Sequence, residues 1–464
     1  MSPLPSRLRA LVLFAVASLA GWLHAAPTIT QQPQATVIVT SGQAAVFSAQ
    51  ATGTGPIRWQ WRRMGGALTG QTGPTLTLPA ATMAEVGFYD VVVTDDAGST
   101  TSRPCRVLVT PVGGYPNTLR LDTSFAPLFE LDGATIDSIA VAPNGMVYVC
   151  GNFTHIAGQP RAGLARFSAD LVLDSSYAPA AASSLFGLLA QPDGKILFRG
   201  SVRLADGRIV GPLGRLNSDG SLDESFAAAE FRQSRGLVSI GDLALQPDGK
   251  ILVAGSFDSV NSLARSALTR LNTEGTVDLT FNPDLGAEPS ITSVLVSHDK
   301  IVLLGIFKPA PGTNHQLIRL TSDGSRDTTF TQSSLARDFY RPLVVDPAGQ
   351  IYAAASFNAG TFPKTSAFVR LLDDGTIDPS YQCALDSVPR NARAMPDGRI
   401  AVIEDDTYPK YSYGVLSTTG ALEYSHSTTA NSSTVRLSVL AAPGKTCSIL
   451  AVSRLRPDFH FPEG

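Results

Sequence analysis

The sequence predicts an all-β chain in which a small β-sandwich is followed by a β-propeller. Three observations predict it. A Pro-Asp-Gly-Lys turn followed by Gly-x-Phe, then Arg-Leu, then Asp-x-x-Phe recurs along most of the chain. The Asp-x-x-aromatic element appears at Asp122/Phe125, Asp174/Tyr177, Asp223/Phe226, Asp278/Phe281, Asp327/Phe330 and Asp378/Tyr381, at intervals of 52, 49, 55, 49 and 51 residues. A period of that length built from short strands points to a propeller or a similar array. Ahead of the repeats, fewer than about 90 residues hold many short alternating strands, the pattern of a sandwich. The 41 glycines and 31 prolines are spread along the chain, which fits frequent turns rather than one unstructured tail.

Length and charge narrow the classes. A chain of 464 residues is natural for two or more domains. Charged residues make up 16% and the formal net charge is −3, so no basic stripe exists and nucleic acid is not an expected partner. Residues 1–25 read as a secretory signal: Arg7 and Arg9 form the positive start, Ala10 to Leu23 the apolar stretch, and Ala25 or Ala26 the cleavage site. An uncleaved N-terminal anchor is the alternative. No second apolar run of spanning length follows, so the expected mature chain has no transmembrane span and is secreted or held at the cell surface. Cys105, Cys150, Cys383 and Cys447 are widely spaced and resemble no metal knuckle. Three disulfide pairings are possible and none is assigned; Val147-Tyr148-Val149-Cys150 reads as a strand with a buried thiol.

The first domain is expected over residues 27–111. Strands are expected over 29–40 and 44–51, then at Ile57 to Arg62, Thr75 to Leu78, Val91 to Val93 and Cys105 to Val109, with a turn at Asp95-Asp96-Ala97-Gly98. The segment resembles a bacterial immunoglobulin-like domain: Trp61 matches the core tryptophan, and Tyr89, after Gly87, matches the tyrosine corner. The usual cysteine pair does not match, since Ala49 and Val91 stand at those positions. The resemblance therefore implies the fold without the disulfide, and aromatic packing must carry more of the core. Trp59 shares a face with Trp61 by alternation; its readings are a packing residue at the sheet margin or, if exposed, a carbohydrate-stacking surface. Residues 112–117, with Gly113-Gly114, are the expected linker.

The repeat domain is expected over residues 118–464. In one unit an apolar strand, Ile240 to Leu245, enters the turn Gln246-Pro247-Asp248-Gly249; Gly249 supplies a positive φ and Pro247 stiffens the entry. A second strand, Ile251 to Ala254, ends at Gly255-Ser256-Phe257, and a third runs from Ala267 to Leu271. Asp278 can then accept local backbone N–H bonds, and Phe281 is spaced to pack between neighbouring units. Such a unit cannot bury both faces alone, whereas stacking in a ring buries them and removes open edges. The strings Asp193-Gly194-Lys195-Ile196-Leu197, Arg215-Leu216-Asn217, Asp219-Gly220-Ser221-Leu222-Asp223 and Ser225-Phe226 are similar to the delta-60 repeat family of bacterial surface proteins, which resembles a β-propeller. The resemblance is strong over 120–381 and fades after 400. It implies an extracellular or cell-surface setting and no catalytic residues. Thr118 to Phe125 is only the tail of a unit and Leu437 to Asp458 only the head of one, so together they could build a composite closing blade. The expected propeller is seven-bladed; six or eight blades, an open β-solenoid, and an array continuing in a longer protein are the alternatives.

Motifs for catalysis are sparse. His155, His298, His315, His426 and His460 lack ligand spacing, and no G-x-S-x-G elbow is present, so no catalytic or cofactor-binding residue is assigned and a metal site is left unknown. Asp219/Asp223 and Asp323/Asp327 could form a weak calcium loop but lack the Asp ladder and distal glutamate, which favours turn capping. Glu404-Asp405-Asp406 falls where the repeat breaks. Arg161 to Arg166, Arg199, Arg203 and Arg208 are expected in loops as solvated arginines. The expected function is an exported binding or adhesion module that recognises a glycan or a surface protein through propeller loops, without catalysis. A polysaccharide-acting enzyme with carboxylates near the propeller axis, and a structural spacer, are the alternatives.

Overall fold

The computed structural model describes residues 26–452 apart from 64–65, 83–84, 86, 104, 111–128, 131–134, 143, 157, 169–171, 178, 180–181, 205, 228, 235, 287, 309–314, 333–335, 359–365, 386, 396, 406–409, 430–435 and 443–444. The expected signal, the linker, Asp122 and Phe125 lie outside the described residues. The described regular structure is β, without an α-helix, and among these residues no helix is long and apolar enough to cross a membrane.

Ten strands build the sandwich: β1 (Thr28–Gln31), β2 (Thr36–Thr40), β3 (Ala45–Ser48), β4 (Gln50–Thr52), β5 (Arg58–Arg63), β6 (Gly66–Ala67), β7 (Thr75–Leu78), β8 (Gly87–Asp95), β9 (Gly98–Thr101) and β10 (Cys105–Thr110). β1 pairs β4 and β3 pairs β7; the facing sheet runs β2-β10-β8-β5-β6, with β9 on β8. The run expected as one strand over 29–40 is two strands. β1 lies antiparallel to β4, and β2 lies parallel to β10 in the other sheet. Pro33 between them has no N–H for a ladder, and the chain changes sheet there. The run over 44–51 divides likewise into β3 and β4.

Alternation along β5 puts Trp61 fully inside, where its indole Nε1 donates to the Gly73 carbonyl at 3.0 Å. Phe47 lies between Trp61 and Tyr89, with ring centroids 6.2 and 5.9 Å away. The Tyr89 hydroxyl donates to the Glu85 carbonyl at 2.7 Å, and burial raises its pKa to about 12. Ala49 and Val91 are both buried in this cluster, so small apolar side chains fill the inter-sheet space. Trp59 is half-buried and packs on the cluster's margin.

Among the described residues the repeats form six main antiparallel sheets, beside which lie two small ones, Phe129–Glu130 with His155–Ile156 and Gln159–Pro160, and Phe231–Arg232 with Ser259–Val260 and Leu263–Ala264. Sheet 1 comprises Thr135–Val141, Val147–Asn152 and Leu164–Phe167; sheet 2, Ala182–Ala190, Ile196–Arg203 and Leu213–Leu216, with Ile209–Val210 added; sheet 3, Ser239–Leu245, Ile251–Ser256 and Leu268–Leu271. Sheet 4 comprises Ser290–Ser297, Lys300–Phe307 and His315–Leu320; sheet 5, Ala336–Val345, Ile351–Phe357 and Ser366–Leu371; sheet 6, Asn391–Ala394, Ile400–Asp405, Lys410–Leu416 and a fourth strand, Leu422–Thr429. A hairpin, Arg436–Ala442 with Lys445–Val452, follows. First strands of successive sheets are neighbours, and Arg436–Ala442 lies against the first strands of both sheet 6 and sheet 1.

Each middle strand buries both faces, which explains its continuous apolar run. In sheet 3, Ile251 and Val253 pack with Leu197, Leu213 and Phe226 of the preceding repeat. Leu252 and Ala254 pack with Ile301, Leu303 and Ile318 of the following sheet. The core is thus divided into seams between adjacent sheets. Every described Pro-x-Gly turn has its glycine in the left-handed region, including Gly249 at φ 84°. The glycine of Gly-x-Phe has a different task. The first strand carries a bulge between Ile240 and Asp242, and again between Ile291 and Ser293, opposite Gly255 and Gly305. A Cβ at either glycine would collide with the carbonyl oxygen of Ser239 or Ser290.

Candidate functional site

The Arg-Leu and Asp-x-x-aromatic motifs meet at the end of each seam. The arginine sits on the third strand, the chain turns through Asp-Gly or Glu-Gly, and a single bridge such as Leu271 to Val277 returns it alongside. That return sets the aspartate eight residues after its arginine. Arg215 Nε donates to Asp223 Oδ2 at 2.7 Å, Arg270 to Asp278 at 2.8 Å and Arg319 to Asp327 at 2.9 Å. Arg166 with Asp174 and Arg370 with Asp378 repeat the pair at 2.9 and 2.8 Å. The turn lysine adds a second cation: Lys195 Nζ reaches Asp223 at 2.8 Å and Lys250 reaches Asp278 at 2.7 Å. The other carboxylate oxygen caps the local turn, as where Ser225 N and Oγ both donate to Asp223 Oδ1.

The same guanidinium covers the aromatic ring of its own repeat, 4.5 Å from the Phe226 centroid for Arg215 and 4.4 Å from that of Phe281 for Arg270. Its Nη1 then crosses the seam. Arg215 donates to the Thr273 carbonyl at 2.5 Å, Arg270 to the Ser322 carbonyl, and Arg370 to the Thr418 carbonyl at 2.6 Å. Glycine is required in that next turn because the ring presses on it: a Cβ at Gly324 would meet Phe281 at 2.9 Å. One arginine therefore ties an aspartate, a ring and the following repeat. Asp174, Tyr177, Asp223, Phe226, Asp278, Phe281, Asp327, Phe330, Asp378 and Tyr381 all lie in these staples.

The carboxylates are held as anions. For Asp174 the Ser176 hydroxyl leads, burial opposes it, and Arg166 adds to it, giving a pKa of about 2. For Asp327, burial would raise the value, but Thr329 and Arg319 together bring it to about 2. At Asp223 and Asp278 burial again pushes upward and is the largest single influence, but the lysine, the capping residue and the arginine together outweigh it and hold both carboxyls below that range. Asp219 and Asp323 cap their own turns through Ser221 N and Ser325 N, each at 2.9 Å, while Asp223 and Asp327 face arginines. These pairs thus do not converge as a calcium loop would require. Among the described residues no three of His, Cys, Asp and Glu come together as a metal site would require.

Arg166, Arg199 and Arg203 were expected in loops but lie on strands. Arg166 is in a staple, and Arg199 Nη1 donates to the Ile240 carbonyl at 3.2 Å. Arg203 and Arg208 are exposed, and Arg208 pairs with Asp206 and Glu224. Cys105 and Cys150 are buried thiols. Glu404 and Asp405 end a strand, and Asp406 lies outside the described residues.

Two places depart from the repeat. In sheet 6, Val415 stands where the staple arginine would be, and Glu423 replaces the aspartate and pairs with Arg399 at 3.2 Å. Between sheets 3 and 4, an open groove of about 770 Å³ is lined by Thr280, Asn282, Pro283, Asp284, Asp323, Gly324, Ser325 and Arg326. Sequence reading missed Arg326. Its signal was available, because the residue before each staple aspartate is otherwise Leu173, Leu222, Val277 or Ile377.

Four segments, 142–177, 191–226, 246–281 and 299–330, match the family model described as "Domain of unknown function (DUF5122) beta-propeller". Each ends on the aromatic residue of a staple, and the repeat domain is β-propeller-like. Over 86 residues the chain is 36% identical to a curated relative, the "Decoration protein" of Escherichia phage T5. That match takes in 18% of this chain and 52% of the relative, so the chain spans about half the length of the curated relative it matches. Among solved structures, a chimeric titin Z1Z2 is 31% identical, covering 19% of this chain and 97% of that one, with a TM-score of 0.16. A quinonprotein alcohol dehydrogenase-like protein from Bacteroides thetaiotaomicron VPI-5482 is 13% identical, covering 76% of this chain and 95% of that one, with a TM-score of 0.27.

Proposed function

We propose that the chain is an exported binding module that works at or outside the cell surface. In this reading an immunoglobulin-like sandwich is joined to a seven-membered, closed propeller of the delta-60 type, and ligand recognition falls to the propeller's loops and seams. The observation that carries it is the division of labour among charged residues. The aspartates, arginines and lysines of the staples are engaged with one another, which leaves recognition to residues outside the staples. A rigid scaffold with variable groups at its edges is the usual construction of a binding surface.

Closure is supported by the neighbours of Arg436–Ala442, which lies against the first strands of both sheet 6 and sheet 1. It is supported further by apolar residues on the outward faces of those sheets: Val149, Ala165 and Phe167 of sheet 1 and Ala401, Ile403 and Val415 of sheet 6 are all buried. Residues 1–25 have the charge and length of an export signal.

A glycan is the first ligand class in this reading. A protein surface is the second, favoured by the name of the phage relative. The test is binding of the full chain to a glycan array and to cell-surface protein fractions, with and without calcium. Saturable binding to defined glycans supports the module; binding only to protein moves the reading to adhesion. Silence from folded protein in every arm defeats it in favour of a structural spacer.

A further inference from the structure

Arg326 occupies a position that four other repeats fill with an aliphatic side chain. Leu173, Leu222, Val277 and Ile377 each form the single bridge that precedes the staple aspartate, and each is half-buried or buried. Arg326 forms the same bridge with Leu320 and is also half-buried. No carboxylate among the described residues pairs with it. Burial pushes its pKa down with no ion pair to offset it, which marks a guanidinium partly stripped of water. A half-buried, unpaired charge in place of a packing residue weakens the seam, so the seam itself gives no reason for it.

The surroundings give one. Asp284 and Asp323 line the same groove, and each uses only Oδ1 in its own turn, with Gly286 N at 3.0 Å and Ser325 N at 2.9 Å. Asn282 is exposed and makes no bond to the described protein. The groove thus offers a five-donor fork, two acceptors and an amide on a rigid seam. The groove is open to solvent, with a volume of about 770 Å³. A ligand carrying net charge of either sign would meet a like charge on one side. Sugar hydroxyls both donate and accept, and a vicinal pair matches either a guanidinium fork or a carboxylate.

We infer that this groove binds a neutral oligosaccharide, with Arg326 donating to its hydroxyls and Asp284 and Asp323 accepting from them. The inference rests on the binding-module reading and gives that reading a site.

The test titrates the full chain, Arg326→Leu and Arg326→Lys with cellotriose, maltotriose, mannotriose, chitotriose and galacturonate trimer, following heat of binding and ligand saturation transfer. Leucine is the residue other repeats carry here, so the melting temperature should hold or rise. At least one neutral trisaccharide should bind the natural chain, at least tenfold more weakly to the leucine variant, with lysine in between because it lacks the planar fork. Binding that is indifferent to Arg326→Leu overturns the groove and leaves the module standing. Binding of galacturonate alone, or of no neutral trisaccharide, also overturns the groove. Only silence that extends to the glycan and protein arrays defeats the module as well.

Discussion

In the sandwich, Phe47, Trp61 and Tyr89 meet in one apolar cluster that both sheets share. Among the described residues of the repeats there is no such centre: apolar clusters alternate with sheets, and each seam from sheet 1 to sheet 6 is closed at one end by an arginine between an aspartate, a ring and the next turn. A domain of two facing sheets can concentrate its burial. An array whose members are covered on both faces must repeat it at every seam, and needs a directional element to fix how far one sheet turns against the next. The staple supplies that direction, since a guanidinium reads the positions of its partners. Where sheet 6 loses the arginine to Val415, its fourth strand takes the place of the stapled turn.

The comparison breaks most readily at Trp61. Trp61→Ala removes the largest side chain of the single core and should lower sandwich stability by about 3–5 kcal/mol. Denaturant unfolding should lose the Trp59 fluorescence transition early while the tyrosine signal of the repeats is unmoved. At the staple, Arg270→Ala leaves Asp278 buried beside Lys250 alone, and the loss should fall near the lower end of the roughly 3–5 kcal/mol known for breaking a buried pair. Calorimetry would check it, and Arg270→Ala with Asp278→Ala should cost less than the two single losses added together. Gly255→Ala forces a Cβ onto the Ser239 carbonyl and should cost about 1–3 kcal/mol as overpacking does. The smallest effect is expected from Tyr89→Phe, which forfeits one hydrogen bond to Glu85 worth about 1 kcal/mol.

Much of this architecture was legible because it repeats. Asp-x-x-Phe, Gly-x-Phe and Pro-Asp-Gly-Lys mark the staple, the bulge contact and the hairpin turn, and the period joins them into sheets. The arginine of Arg-Leu was visible as a motif, but its role was not, because its three partners lie 8, 11 and 48 to 58 residues away in the sequence. The division of the strands at 29–40 was missed because a change of sheet leaves the apolar pattern intact, with Pro33 its only mark. The groove was missed for the opposite reason. A residue that breaks a recurrence leaves no mark in the recurring pattern, as with Arg326 among Leu173, Leu222, Val277 and Ile377.

The measurement that bears most directly on the difference between the two domains is an acid titration followed by two probes. Beyond Trp22 in the expected signal, the tryptophans are Trp59 and Trp61, both in the sandwich, while Tyr148, Tyr177, Tyr352 and Tyr381 are buried in the repeats. The staple aspartates have folded pKa values depressed to about 2 at Asp174 and Asp327, against about 3.9 for an unfolded aspartate. Their stabilisation is therefore complete above the unfolded value and is lost as pH falls from about 4 through about 2. The near-ultraviolet tyrosine signal should collapse in that window while tryptophan fluorescence holds to lower pH. Loss of both signals together, or of the tryptophan signal first, would contradict it.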